Sequence, residues 1–199
     1  MGVETPKLTV EGVILAAGLS SRAGEYKMTL PLGERTVIEH TIAGMCEAVE
    51  RVIVVTGWQA ERLQDLLADR EGVDLVHNAG YRAGMFSSVR VGLAQVRAPR
   101  FLLLPGDLPL IGRRVYERLL KTPGEIVIPT FEGRRGHPVC MSSQLVPEIL
   151  AQAEDSNLRA YIQGKGYDTV EVEDEGILLD LDTPEDYGRL RARFAGRCQ

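Results

Sequence analysis

Arg22 and Lys27 close the stretch LAAGLSSRAGEYK, Leu15 to Lys27, which leaves an apolar run through small residues. Small residues let a backbone approach a ligand closely. Successive N–H groups in such a loop form a nest for an anion. Arg22 adds a planar fork and Lys27 a mobile point charge. Phosphate binding is the chemistry this suggests; the plain alternative is a turn with two solvated cations. In LLLPGDLPLI, residues 102–111, Asp107 stands just past an apolar run on a Pro-Gly turn. A carboxylate there can hold Mg²⁺ against phosphate oxygens, or simply bond its own backbone. In LLDLDTPEDY, residues 178–187, Asp180 and Asp182 alternate with leucines ahead of a helix start with Thr183 as N-cap and Pro184 at the first helical position. Asp182 is either a second metal ligand or an acid favouring that helix terminus.

Two further segments are polar enough to bind something. NAGYRAGMFSSV, residues 78–89, sets Asn78, Gly84, Ser87 and Ser88 between a strand and a helix. Ser87 or Ser88 could cap the helix, or the segment could read a nucleobase edge. EGRRGHPV, residues 132–139, sets Arg134 and Arg135 beside Gly136, His137 and Pro138. These arginines are solvated at a hairpin turn, or they catch a second phosphate.

The elements that must position these residues alternate along the chain. Strands are expected at 10–16, 51–56, 73–77 and 101–104, all solidly apolar, which is the mark of a parallel sheet covered on both faces. Helical spacing connects them over 37–45, 59–68 (with Leu63, Leu66 and Leu67 inward), 85–96 and 115–120. A hairpin-like pair, 125–129 and 137–141, implies a mixed region after residue 123. Helical stretches at 144–152 and 157–163, a strand at 167–172 and a closing helix at 184–194 follow. Alternating βα units make an α/β domain. Ligands in such sheets bind beyond the carboxyl ends of the strands, which is where segments 16–27, 78–88 and 105–109 fall.

Composition narrows the partners. A net charge of −5 over 199 residues is unsuited to coating nucleic acid or an anionic membrane. No run of 18 apolar residues occurs, so no membrane span is expected. The cysteines, Cys46, Cys140 and Cys198, form no CxxC pair. With no apolar leader at the N-terminus, this reads as a reducing, cytoplasmic setting. The first loop lacks GxGxxG and a Walker Lys-Ser/Thr, which argues against a nicotinamide-dependent oxidoreductase and a P-loop enzyme.

Taken together the motifs resemble those of the MobA-like nucleotidyltransferases, and within them the molybdenum cofactor cytidylyltransferase type. The matching residues are Leu15-Ala16-Ala17-Gly18 with Ser20, Arg22, Gly24 and Lys27; Pro31-Leu32; Asn78 with Gly84-Met85 and Ser88; Gly106-Asp107-Leu108-Pro109; Arg135-Gly136-His137-Pro138; and Asp182-Thr183-Pro184-Glu185-Asp186. Ala23 and Ala79 depart from the family pattern, which has Met and Pro there.

The resemblance implies a Rossmann-like three-layer α/β sandwich of the nucleotide-diphospho-sugar transferase kind, its mostly parallel sheet carrying a small mixed antiparallel extension. It implies one domain, with a nucleotide-binding part over about 10–110 and an acceptor-binding part over about 111–199. It implies Mg²⁺ on Asp107 and Asp182, catalysis by Arg22, Lys27 and Asp107, and nucleotide contacts from Leu15, Ala16, Ala17, Gly18, Ser20, Arg22, Lys27, Asn78, Gly84, Ser87 and Ser88. Arg135, Gly136, His137 and Pro138 would face the acceptor. The expected reaction moves CMP from CTP to the phosphate of molybdopterin, the Ala-Ala-Gly start favouring CTP over GTP. The product could pass to a client molybdoenzyme. Rivals are a transferase of the same fold using GTP or a sugar phosphate, methylerythritol phosphate or phospholactate, and a nucleotide-binding chaperone without turnover.

Overall fold

In a computed structural model, which describes residues 9–19 and 26–197, Val10–Ala16 forms the central strand β1, buried along its whole length. The remaining elements are β2 (Pro31–Leu32), β3 (Arg35–Thr36), α1 (Val37–Cys46), β4 (Arg51–Thr56), α2 (Ala60–Leu67), β5 (Val73–His77), α3 (Met85–Leu93), β6 (Arg100–Pro105), α4 (Arg113–Lys121), β7 (Ile126–Phe131), β8 (Arg134–Arg135), β9 (Val139–Ser142), α5 (Val146–Leu150), α6 (Leu158–Lys165), β10 (Asp168–Glu171) and α7 (Pro184–Arg197).

The strands order as β10-β7-β9-β6-β1-β4-β5, with β8 folded back on β7. β1 lies parallel between β4 and β6, Val13 facing Ile53 on one side and Leu103 on the other. Successive side chains point to opposite faces of a strand, and here both faces are covered. On one face Ile14, Val52, Val54, Leu102 and Leu104 pack against α1, α2 and α4 through Ile38, Ile42, Leu63, Val115 and Leu119. On the other, Val13, Ile53, Phe101 and Leu103 meet α3, α5 and α6 through Val89, Leu93, Ile149 and Ile162. That two-sided burial is why these strands read as unbroken apolar runs. The result is the three-layer α/β sandwich with a mostly parallel sheet.

Two details differ from the expectation drawn from pattern. β5 is only partly covered, with Asp74 and His77 exposed, because it is an edge strand paired to β4 alone. The antiparallel element, β9, sits inside the sheet, antiparallel to both β6 and β7. It also begins at Val139, leaving His137 and Pro138 in the connection that leads into it. The sheet therefore runs unbroken across residue 110, from β6 to β9. A small hairpin, β2–β3, packs through Leu32 with Val37, Leu110 and Leu190, so α7 is moored beside the start of α1. Among the described residues no helix is long and apolar enough to cross a membrane.

Candidate active site

The parallel strands β1 and β6 end side by side, Leu15 opposite Pro105, and the Gly106 N–H donates to the Leu15 carbonyl at 2.9 Å. The Thr41 hydroxyl on α1 donates to the Gly106 carbonyl at 3.0 Å and fixes the turn. Asp107 is thereby delivered to the sheet edge in a buried position, 5% exposed. The Lys27 ammonium donates to Asp107 Oδ2 at 2.5 Å and to Asp182 Oδ1 at 3.2 Å. One cation thus ties together segments 80 and 155 residues apart.

Asp182 is set by the start of α7. The Asp186 carboxylate accepts from the Thr183 N–H at 2.9 Å and from the Asp182 N–H at 3.3 Å, while the Thr183 hydroxyl accepts from the Asp186 N–H at 3.2 Å. This reciprocal cap holds the helix terminus without using the Asp182 carboxylate, which faces Lys27. The Thr183 hydroxyl's hydrogen bond to it holds the Asp186 carboxyl below its ordinary range.

Among the described residues, this corner sets the Lys27 ammonium among Asp107, Asp180 and Asp182. Burial alone would lower the Lys27 pKa, but the charge of Asp107 and then Asp182 outweigh it, so the ammonium stays protonated. Asp180 is pushed up by burial and by the charges of Asp107 and Asp182. Asp107 Oδ1 is buried with no hydrogen-bond partner among the described residues. No group of three or more His, Cys, Asp or Glu side chains among the described residues forms a ready-made metal cage. Two carboxylates with one oxygen to spare, already bridged by a cation, are instead the donor set that suits Mg²⁺, which takes one or two carboxylates and completes its shell with phosphates and water. The residues present fit such an ion.

Ala16 ends β1 and Ala17 follows it, both buried, and Gly18 is exposed. Tyr26, just before Lys27, donates from its hydroxyl to the Ala16 carbonyl at 3.0 Å and packs its ring edge-to-face on Trp58, centroids 5.4 Å apart. The loop after β4 lies against the loop after β1: a Cβ on Gly57 would stand 2.8 Å from Ala17 Cβ and 2.7 Å from Tyr81 Cβ. Ser20, Arg22 and Gly24 lie outside the described residues.

After β5, Asn78 is buried and donates to the Ser87 hydroxyl at 2.9 Å and the Ser88 hydroxyl at 3.0 Å, while its carbonyl accepts from the Gly80 N–H at 2.9 Å. Ser87 donates to the Gly84 carbonyl at 2.8 Å. These side chains hold one another and shape the loop; Gly84, at φ +105°, makes the left-handed bend that opens α3.

In the RGHP segment, the Arg135 guanidinium donates to the Tyr167 hydroxyl at 2.6 Å and lies over its ring. The His137 N–H donates to the Ile177 carbonyl at 3.1 Å, and Gly136 packs so tightly on Ile177 that a Cβ there would overlap it. Burial lowers the His137 pKa although the Asp107 charge pulls the other way, so the ring is neutral near pH 7; its Nδ1 has no partner among the described residues.

A cleft of about 660 Å³ joins these parts on the α3–α6 side of the sheet. Lys27, Asp107, Asp180 and Asp182 line one region of it, and Arg134, Arg135 and His137 another. Leu15, Leu103, Val139 and Ile128, from four strands, contribute apolar lining between α3 and α6. Asn78, Ser87 and Ser88 do not line it. Sequence reasoning missed Tyr26 and Trp58, whose role shows only in the packing of two loops, and left Asp180 without a role although the alternation with Asp182 was visible.

The MobA-like NTP transferase domain family matches residues 12–171. Over 188 residues the chain is 31% identical to the molybdenum cofactor cytidylyltransferase of Escherichia coli strain K12, covering 93% of this chain and 97% of that protein. A nucleotidyl transferase from Methanothermobacter thermautotroptrophicus superposes with a TM-score of 0.84 at 24% identity, covering 95% of this chain and 99% of that one. Rv0371c of Mycobacterium tuberculosis, in a structure solved as a complex with manganese, superposes with a TM-score of 0.76 at 26% identity over 92% of this chain and 98% of that one.

Proposed function

The chain belongs to the MobA-like NTP transferase family and is a nucleotidyltransferase, and from that premise we propose that it transfers CMP from CTP to the terminal phosphate of molybdopterin and releases pyrophosphate. The observation that carries the reading is the Lys27 ammonium bridging Asp107 and Asp182 at the paired ends of β1 and β6. The E. coli relative's activity and the Ala16-Ala17-Gly18 sequence favour cytidine as the base.

An oxygen of the acceptor phosphate attacks the α-phosphorus of CTP; the bond from that phosphorus to the bridging oxygen breaks, and pyrophosphate carries the electron pair away. A phosphate monoester has its second pKa near about 6, so the attacking oxygen is already ionised and no general base is needed. The chain's task is positioning and charge neutralisation. Asp107 and Asp182 hold Mg²⁺, which when bound screens the charges of the two phosphates brought together. Lys27, protonated at working pH, donates to the oxygens where charge gathers on the leaving group, with Arg22 beside it. Backbone N–H groups from Ala16 to Gly18, with Ser20, cradle the triphosphate. The loop shaped by Asn78, Gly84, Ser87 and Ser88 receives the base. Neutral His137, with Arg135, Gly136 and Pro138, borders the acceptor. That the similar protein Rv0371c was solved as a complex with manganese supports divalent-ion use in this family.

The test is pyrophosphate release with Mg²⁺ and molybdenum-loaded molybdopterin, with CTP, GTP, ATP and UTP supplied separately. Release with CTP alone is the expected result. Release with GTP alone overturns the base assignment, and release only with a sugar phosphate, methylerythritol phosphate or phospholactate overturns the acceptor.

A further inference from the structure

Asp182 precedes α7, and α7 grips the two chain segments that carry Lys27 and Asp107. In its first turn the Tyr187 hydroxyl donates to the Pro31 carbonyl, just beyond Lys27 in the chain. Midway, Leu190 is buried with Leu32, Val37 and Leu110. Phe194 lies edge-on to His40, centroids 4.9 Å apart, and so close to the β2–β3 turn that a Cβ on Gly33 would stand 2.7 Å from its ring. At the far end the Arg197 guanidinium donates to the Leu110 carbonyl, just beyond Asp107, and to Asp174 Oδ1 at 2.8 Å. Leu190 is the one buried residue of the helix among those described. With so little apolar burial to hold it, the contacts at its ends decide where α7 sits.

Asp174 completes the clamp. Its Oδ2 accepts from the Gly112 N–H at 2.7 Å, and its Oδ1 accepts from the Gly176 N–H at 2.9 Å as well as from Arg197. One carboxylate therefore joins the loop that follows Asp107, the strap 174–182 that ends in Asp182, and the last turn of α7. The fit is close: a Cβ on Gly112 would stand 2.8 Å from Asp174 Oδ2, and one on Gly176 would overlap the Leu110 carbonyl oxygen. Further along the strap, the Ile177 carbonyl accepts from the His137 N–H at 3.1 Å and Leu181 is fully buried. The strap thus has a fixed start at Asp174 and a fixed course to Asp182.

We propose that Asp174 and Arg197 are positioning residues for the transfer: together they set Asp182 against Asp107 and Lys27, and so tune the hold of the two carboxylates on the divalent ion. Neither side chain lines the cleft, so both act through the strap and α7. Mg²⁺ demands near-ideal octahedral geometry, which makes its binding sensitive to the separation of two carboxylates drawn from distant segments. The part concerning the ion rests on the transferase reading; the placement of Asp182 does not.

The test compares wild type with Arg197→Gln, Arg197→Lys and Asp174→Asn. Lys165→Gln, which breaks an exposed pair with Glu148 touching neither segment, is the control. Hydrogen–deuterium exchange over residues 176–183 is read without metal or nucleotide, and the Mg²⁺ concentration giving half-maximal CMP transfer is read in the assay. In Arg197→Gln and Asp174→Asn, exchange over 176–183 is expected to quicken by about 10-fold, as for a lost hydrogen bond to a charged group. The Mg²⁺ half-saturation is expected to rise by about 10-fold, as for a misplaced ligand. Arg197→Lys keeps a cation beside Asp174 and is expected between wild type and Arg197→Gln in both. A lower melting temperature with exchange over 176–183 and Mg²⁺ half-saturation unmoved makes the clamp structural only and overturns the proposal. So does faster exchange with an unmoved Mg²⁺ half-saturation, or an effect matched by Lys165→Gln. Faster exchange in the variants with no CMP transfer by wild type overturns the reaction and supports the placement of Asp182.

Discussion

Replacing Lys27 with methionine keeps most of the apolar stem and removes the cation, and its effect on stability follows from the geometry. The Lys27 side chain is 15% exposed, Asp107 7% and Asp182 47%. Removing one partner of a buried pair costs roughly 3–5 kcal/mol; the half-exposed Asp182 is screened by water, which brings the expected loss to about 3 kcal/mol. For a chain of this length each kcal/mol moves the melting temperature by roughly 2–4 °C, so Lys27→Met melts roughly 6–12 °C lower without metal. Mg²⁺ then acts differently on the two proteins. In wild type the ion must displace the ammonium from Asp107 and Asp182; in the variant that competing ammonium is absent. Binding to the native state stabilises in proportion to occupancy, so Mg²⁺ raises the melting temperature of Lys27→Met more than that of wild type. Turnover falls on the order of 10²-fold or more, as on losing one donor to developing charge, and Mg²⁺ does not restore it. Thermal melts by circular dichroism with and without saturating Mg²⁺ read the first two effects. A variant that melts with wild type, or one that Mg²⁺ leaves unmoved, refutes the reasoning.

Gly57→Ala forces the loops after β1 and β4 apart, since its Cβ would lie 2.9 Å from the Ala17 carbonyl oxygen; nucleotide KM rises on the order of 10-fold or more in steady-state assays. Asn78→Ala removes a buried amide and its hydrogen bonds to Gly80, Ser87 and Ser88 and loosens the base loop, costing about 1–3 kcal/mol in a urea titration and raising nucleotide KM with little change in acceptor KM. Glu11 governs acid stability: burial pushes its carboxyl up, but the N–H groups of Arg97 and Ala98, at 2.6 and 3.0 Å, and the Arg51 guanidinium at 2.9 Å hold it below 4.5. Its contribution is complete above pH 4.5 and is lost as pH falls through the lower folded value. Glu11→Gln therefore removes about 1–3 kcal/mol at neutral pH and flattens the acid limb of the stability curve; an unchanged limb contradicts the assignment.

The sequence made the sheet's central strands and the three segments of the acidic corner readable for physical reasons. Strands buried on both faces are dominated by apolar residues, so 10–16 and 51–56 announced themselves. Lys27, Asp107 and Asp182 each break such a pattern at a strand or helix terminus. What pattern could not reveal was pairing. β9 inside the sheet and β5 at its edge depend on which strands meet, not on what any one contains. Asn78, Ser87 and Ser88 are polar beside a helix start, but only the fold shows that they spend their hydrogen bonds on one another. Tyr26 and Trp58 are ordinary core aromatics in sequence, and become a brace across the nucleotide loop only when β1 and β4 lie side by side.

The central claim is that bond formation occurs at the α-phosphorus of a cytidine triphosphate. Its most direct test is CTP labelled with ³²P at the α-position, incubated with Mg²⁺ and molybdenum-loaded molybdopterin. The account predicts that the label moves into a phosphodiester on the pterin and that the released pyrophosphate is unlabelled. Label left in CDP or CMP, with the pterin unlabelled, contradicts it.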